Sequence, residues 1–197
     1  MEEKTKKMNR KITVVALCGK AGAGKDTLLQ RIMRLYPNDF HEIISCTTRP
    51  PREGEVDGIN YYFLTVEEFT EKLLNGEMLE ATEFNGWHYG TALGSLFPKK
   101  VNIGVFNPAG IACLLENDNI DLHVFEIEAT PKTRLLRQLN RESNPDVREI
   151  LRRYYTDEED FKELDELDFG ASSFDRVWNE QEHDLDANAK WIASWTL

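Results

Sequence analysis

The stretch Ile12-Thr-Val-Val-Ala-Leu-Cys18-Gly19-Lys20-Ala21-Gly22-Ala23-Gly24-Lys25-Asp26-Thr27 decides the fold. Ile12 to Cys18 is apolar, rich in β-branched residues and ended abruptly by Gly19, which reads as a short buried strand. From Thr27 to Tyr36 the residues Leu28, Leu29, Ile32, Met33 and Leu35 recur at helical spacing and stop before Pro37. Strand, glycine loop and helix in that order open an α/β layer fold. The loop itself fits G-x-x-x-x-G-K. Gly19, Gly22, Ala23 and Gly24 let the backbone wrap closely around a polyphosphate, so that several N–H groups converge on its oxygens. The following helix adds the positive end of its dipole, and Lys25 supplies a mobile charge for the β- and γ-phosphates. An ordinary glycine-rich turn would share the pattern, but the flanking strand and helix supply the context a phosphate loop needs.

Asp26 stands where such loops usually carry Ser or Thr, whose hydroxyl ligates Mg²⁺. A carboxylate is also a hard oxygen ligand, directly or through water. It adds negative charge beside the phosphates, which a metal or nearby cations must offset. Thr27 offers a hydroxyl for a phosphate instead. The loop alone implies nucleotide binding and leaves kinase, GTPase and ATPase open.

The rest of the 197 residues sets the frame. That length suits one domain with a sizeable core, expected to span 1–197, and 41% hydrophobic with 30% charged residues excludes a wholly disordered chain. The net charge of −11 argues against broad nucleic-acid binding. The longest apolar run, Val14 to Cys18, is far too short to span a bilayer, and the charged start MEEKTKKMNRK lacks an apolar signal core. No membrane association is expected, and residues 1–10 are expected to form a flexible tail. Cys18, Cys46 and Cys113 are scattered thiols without metal spacing, which points to a reduced, cytoplasmic setting. Oligomeric state leaves no signal.

Residues 42–91 differ in texture from 11–41 and 92–197, which form the expected core. Short β-like runs at Ile43 to Cys46, Tyr61 to Leu64 and Met78 to Phe84, with a helix near Val66 to Asn75, suggest an inserted, mostly antiparallel subdomain. Val101 to Phe106 and Leu122 to Ile127 return to buried strands, with a helix over Pro108 to Leu115 between them. Thr130 starts another helix with Pro131 in its first turn, leading into a stretch rich in arginine up to Arg153. A last helix from Asp186 is expected to bury Trp191, Ile192 and Trp195 on one face.

Two further segments carry a resemblance. They are Ser45-Cys-Thr-Thr-Arg49-Pro-Pro-Arg52-Glu-Gly-Glu-Val-Asp-Gly58-Ile-Asn-Tyr61-Tyr-Phe63 and Asn75-Gly-Glu-Met-Leu-Glu80-Ala-Thr-Glu-Phe-Asn-Gly-Trp-His-Tyr89-Gly-Thr91. With the glycine loop they closely resemble the guanylate kinase family, from about Thr13 to Asn179, densely over 45–63 and 75–91 and thinly after 100. The resemblance implies a P-loop NTPase-type parallel sheet flanked by helices, an inserted subdomain that binds the nucleoside monophosphate, and a helical lid over about 137–157. It implies ATP and Mg²⁺ as cofactors and GMP or dGMP as the phosphoryl acceptor.

The residues make chemical sense in that role. Arg49 and Arg52, three apart in a proline-stiffened loop, can hold one phosphate by forked, charge-assisted bonds, and Tyr61 and Tyr89 can each add a phenolic donor. Guanine shows two donors on one edge, and Glu80 resembles the family carboxylate that accepts both. Ser45 and Thr91 match hydroxyl positions near the base. Arg137 and Arg141, four apart, are expected to share a helix face, and Ile150-Leu-Arg152-Arg153 resembles the second arginine segment of the lid, with Arg153 favoured and Arg152 close behind. Lys25, Arg49, Arg137, Arg141 and Arg153 are then the catalytic cations, since phosphoryl transfer is served chiefly by positive charge and exclusion of water.

Val105-Phe106-Asn107 departs from the family, which commonly places aspartates there. Asn107 falls where an acid would help receive the guanine edge, and an amide offers one acceptor and a donor group. Two other readings therefore stand beside guanylate kinase: a monophosphate kinase of altered or broadened base choice, and a non-catalytic binding module on the same scaffold. Such modules typically lose the phosphate loop, whereas Gly19, Gly24 and Lys25 are all present here.

Overall fold

The computed structural model describes residues 11–197 apart from Glu53, Asn85 and Glu142, so the expected N-terminal tail lies outside the described residues. In chain order the elements are β1 (Ile12–Cys18), α1 (Lys25–Leu35), β2 (Phe40–Glu42), β3 (Cys46–Thr47), β4 (Tyr62–Phe63), α2 (Val66–Leu74), β5 (Met78–Phe84) and β6 (Trp87–Ala92). They continue with β7 (Val101–Val105), α3 (Pro108–Leu115), β8 (Ile120–Glu128), α4 (Pro131–Leu139), α5 (Val147–Glu166), β9 (Ser173–Trp178) and α6 (Asp184–Thr196).

Strand β1 is the centre of a five-stranded parallel sheet ordered β2-β7-β1-β8-β9. Its continuous apolar run follows from having both faces covered. Val15 and Leu17 pack on α1 through Leu28, Leu29 and Ile32, and on α6 through Leu185, Ala189 and Ile192. Val14, Ala16 and Cys18 point the other way, to Ile111 and Leu114 of α3 and Phe161 and Leu164 of α5. The glycine loop leaves the carboxyl end of β1, where open parallel sheets bind their ligands. A second sheet, ordered β4-β3-β6-β5, is mixed: β3 pairs parallel to β4, whereas β6 runs antiparallel to both β3 and β5. Thr65 and Glu68 close a reciprocal capping box on α2 beside it. Among the described residues, no helix is long and apolar enough to cross a membrane.

Several local expectations need correction. The strand expected over Ile43 to Cys46 is instead two strands in different sheets, because Phe40–Glu42 pairs with β7 while Cys46–Thr47 pairs with β6. Arg137 and Arg141 do not share a helix face: α4 ends at Leu139 with Asn140 as its cap, and Arg141 lies exposed beyond it. The acidic stretch after Arg153 continues α5, which runs 20 residues from its cap Asp146. Trp191 and Trp195 are not buried, being 38% and 49% exposed. The buried face of α6 is Leu185, Ala189, Ile192 and Ala193, and Trp191 instead lays its ring edge-to-face on Phe125 at 5.6 Å.

Candidate functional site

The glycine loop is built so tightly that side chains are excluded from it. Gly19 and Gly22 have φ of 141° and 80°, and a Cβ on either would stand 2.3 Å from the Ile127 carbonyl oxygen or 2.4 Å from that of Arg134. Lys25 reaches back across the loop and donates to the Gly19 carbonyl at 2.5 Å. Behind it, Arg137 donates to the carbonyls of Gly22 (3.3 Å), Ala23 (3.1 Å), Asn179 (2.9 Å) and Glu180 (3.1 Å). Asn179 adds a bond from its amide to the Ala23 carbonyl at 2.9 Å. The loop's carbonyls are thus held from the rear.

In front of the loop lies a cleft of about 380 Å³. Gly19, Lys25 and Asp26 line it at the loop, and Ser45, Arg49, Arg52, Tyr61, Glu80 and Tyr89 line it from the insertion. Asn107 comes from the N-terminus of α3, and Arg152 and Arg153 come from α5. Eleven of the residues singled out in the sequence for this site therefore meet in one space, together with Arg152. Gly22, Ala23, Thr91 and Arg141 do not line it. Gly24, Thr27 and Arg137 border a second cleft on the other side of the loop.

At the insertion end, Arg49 is buried and rigidly placed. One terminal nitrogen donates to both oxygens of Glu55 at 3.0 and 2.9 Å, the other to the Pro50 carbonyl at 2.7 Å. Its guanidinium lies over the Tyr61 ring at 5.5 Å and the Phe63 ring at 5.8 Å. Glu55 also accepts the Arg52 backbone N–H at 2.7 Å. Burial pushes the Glu55 carboxyl up, but those bonds and the two arginine charges together hold it below the usual range. Partial burial, with the charges of Arg153 and Arg49, lowers the Arg52 guanidinium. Three cations therefore converge on one region, the arrangement that a multiply charged anion relieves. Tyr61 and Tyr89 stand edge-on with centroids 6.2 Å apart, and burial first, then the Asp26 charge, raises the Tyr61 phenol.

Deeper in the cleft Glu80 is 8% exposed. Burial lifts its carboxyl to about 7, against the opposing effect of Thr91 on the neighbouring strand. Asn107 caps α3, its Oδ1 accepting the Gly110 N–H at 2.7 Å, while its Nδ2 donates to Thr82 Oγ1 at 3.3 Å. The position a Gly110 Cβ would take lies 3.1 Å from Asn107 Oδ1 and 3.4 Å from Glu80 Oε2, so the amide and the carboxylate are near neighbours.

Helix α5 forms the remaining wall. Arg152 and Arg153 both bond Glu149, at 2.7 and 2.8 Å, which brings that carboxyl down to about 2. Asp157 accepts the Ala21 N–H, and Glu158 pairs with Lys20 at 2.6 Å and with Arg134 at 3.1 Å. Sequence reasoning missed Glu55, Thr82, Glu149 and Asp157. Thr82 was findable, two residues after Glu80 on one strand face. Glu149, Arg153 and Asp157 follow one another at four-residue steps along a helix face, a pattern visible once the acidic stretch is read as helix. Glu55 had no periodic signal, since it sits in an irregular loop. For a divalent cation, Asp26 supplies an exposed hard oxygen at the first turn of α1, whereas the end of β7 offers only the apolar Val105.

The guanylate kinase family model matches residues 10–187 of this chain. A guanylate kinase of Synechococcus elongatus is 50% identical over 91 residues, which are 46% of this chain and 49% of that protein. One from Enterococcus faecalis is 46% identical over 86 residues, 44% of this chain and 42% of its own length. The matched part thus spans about half the length of the curated relatives. In fold, the chain is similar to the crystal structure of guanylate kinase from Anaplasma phagocytophilum, with a TM-score of 0.60 over 94% of this chain and 85% of that one, at 21% identity.

Proposed function

This chain belongs to the guanylate kinase family, and from that premise we propose that it transfers the γ-phosphoryl group of ATP to GMP or dGMP, giving ADP and GDP or dGDP. The observation that carries the reading is one cleft lined at one end by the glycine loop with Lys25, and at the other by Arg49 and Arg52 with Tyr61 and Tyr89. Two phosphate-bearing substrates held at those ends face each other across the space between, which turns a bimolecular encounter into a positioned one.

In the proposed reaction an oxygen of the acceptor phosphate forms a bond to the γ-phosphorus as the bond to the β,γ-bridging oxygen breaks, and ADP leaves. No side chain has to take a proton. The loop N–H groups and Lys25 hold the donor phosphates, and Arg49 and Arg52 hold the acceptor phosphate. Arg152 or Arg153, on the cleft side of α5, meets the charge spread over the transferring group. Arg137 acts from behind, fixing the loop carbonyls so that the amides face the cleft. Glu80 accepts the donors of the guanine edge. Asp26 is the residue that would hold Mg²⁺, an ion that typically takes one or two carboxylates along with phosphate oxygens and water; when bound it neutralises phosphate charge. A cytoplasmic setting belongs to the same proposal.

A coupled assay for ADP tests it. ADP should form only when GMP or dGMP is added with ATP and Mg²⁺. Lys25→Ala should cut turnover on the order of 10²–10³-fold with the thermal transition retained. A folded wild-type protein that releases no ADP with either acceptor would sink the enzyme reading and leave the binding-module one.

A further inference from the structure

We infer that Glu158 is a positioning residue for the transfer: clamped between Lys20 and Arg134, it keeps helix α5 in register with the glycine loop and so sets where Arg152 and Arg153 stand. The inference rests on the proposed phosphoryl transfer and adds to it a residue from outside the cleft.

Glu158 joins three elements. Its Oε2 takes Lys20 Nζ from the loop at 2.6 Å, and its Oε1 takes a terminal nitrogen of Arg134 from α4 at 3.1 Å. Arg134 is a firm reference point, since it is buried and its backbone lies against the loop. The position a Gly22 Cβ would take is 2.9 Å from the Arg134 Cα. Both partners of Glu158 are therefore fixed relative to the loop. Tyr154, one turn before Glu158 on the same face of α5, lies under the Arg134 guanidinium with its ring centroid 4.9 Å away. Two contacts one turn apart on a single buried side chain fix the rotation of α5 about its axis as well as its distance.

That rotation decides which way the arginines point. Arg152 and Arg153 stand about 8–9 Å upstream of Glu158 at 1.5 Å per residue, and both line the cleft. Downstream, α5 is held by the core through Phe161 and Leu164, and by Asp165, which pairs with Arg176 of β9. Upstream, Val147, Leu151 and Tyr155 leave one side of the helix in solvent. Asp157 also touches the loop, at the Ala21 N–H, but it lines the cleft, where a donor phosphate would contest that N–H. Glu158 does not line the cleft and has the buried Arg134 as a second partner. It is the link that outlasts nucleotide binding.

Glu158→Gln tests this with ATP and GMP saturating. The amide keeps one acceptor oxygen but turns a donor group on the other cation. The variant is expected to lower kcat by about ten- to a hundredfold, the scale of a misplacement of about 1 Å. Dissociation constants of GMP and of a non-transferable ATP analogue should stay within about threefold of wild type, the mark of an interaction felt only in the transition state. Added to Arg152→Ala/Arg153→Ala, the same substitution should change kcat by less than about threefold, because the groups it positions are gone. Should Glu158→Gln lose its thermal transition, Lys20→Met removes one partner and is expected to show the same split and the same silence in the double-alanine protein. A kcat unmoved by the substitution, an equal loss in both backgrounds, or affinities falling as far as kcat would each overturn the inference and leave the kinase reading standing. Wild-type protein that makes no ADP with GMP removes the kinase reading itself, and this inference with it.

Discussion

Asp157 Oδ2 accepts the backbone N–H of Ala21 at 2.5 Å, so a carboxylate of helix α5 sits on the cleft side of the glycine loop, the side proposed to take phosphate. Next to it Glu158 holds Lys20 at 2.6 Å. A phosphate oxygen that uses the Ala21 N–H has to displace that carboxylate. Asp157→Asn keeps the shape and removes the charge, and a charge-assisted bond is roughly twice as strong as a neutral one. The variant should bind ATP about three- to tenfold more tightly with GMP affinity unchanged, read by calorimetry. Equal ATP affinities in the two proteins would show that Asp157 and phosphate do not compete.

Arg49 and Arg52 should separate in their effects. Replacing either with alanine should weaken GMP far more than ATP. Only Arg49→Ala should also cost stability, on the order of 1–3 kcal/mol, because it strips a buried partner from Glu55. Denaturant titration of Arg49→Ala, Glu55→Ala and the double variant measures that coupling. An additive cycle would mean that the pair contributes nothing to the fold.

Glu80 gives the protein a pH dependence with two opposite signs. Its carboxyl titrates near 7 when folded and near 4.5 when unfolded, so between those values the folded state binds the extra proton. Stability from this group is therefore full below about pH 4.5 and falls as pH rises through 7, each unit of separation being worth about 1.4 kcal/mol. Guanine needs the ionised form, so GMP affinity should rise over the same window. Glu80→Gln should flatten both slopes, gaining stability near pH 8 while losing GMP. Thermal melts and calorimetry at pH 6 and 8 are the measurements, and a Glu80→Gln protein with the wild-type pH slope would refute the assignment.

Asp26→Ala should raise the Mg²⁺ concentration needed for half-maximal activity several-fold, and Asp26→Ser should largely restore it. A Mg²⁺ titration unmoved by the alanine would leave the carboxylate with no metal role.

What was legible in the sequence was what is encoded locally. The run Ile12 to Thr27 carries its own strand, turn and helix signals, and the structure builds β1, the loop and α1 from it. The convergence of Arg49, Arg52, Tyr61, Glu80 and Tyr89 on one cleft followed from a resemblance between ordered motifs, and spacing alone did not provide it. Contacts between distant segments stayed hidden. Arg137 reads as a lid cation, yet its guanidinium bonds carbonyls more than 40 residues away on either side. β9 escaped notice because Ser-Phe-Asp-Arg-Val-Trp has no clean alternation; it is an edge strand in which Val177 is the buried residue. Trp191 and Trp195 read as core by period alone, but the face that α6 buries is Leu185, Ala189, Ile192 and Ala193.

The carboxylate partners described for the cleft's cations bear on how a nucleotide arrives. Arg49 carries Glu55, Arg152 and Arg153 carry Glu149, and Lys20 carries Glu158. Arg152 and Arg153 share one carboxylate, but with Asp26, Asp157 and Asp160 also on the cleft wall the acids roughly balance the cations, so the cleft projects little attraction into solvent while the chain as a whole bears −11. Under the proposed function, nucleotides would diffuse in against a repulsive far field and meet strong contacts only after entry. Moderate salt, which screens charges beyond about 10 Å at 0.1 M, should quicken the encounter, the reverse of the slowing that steered association shows.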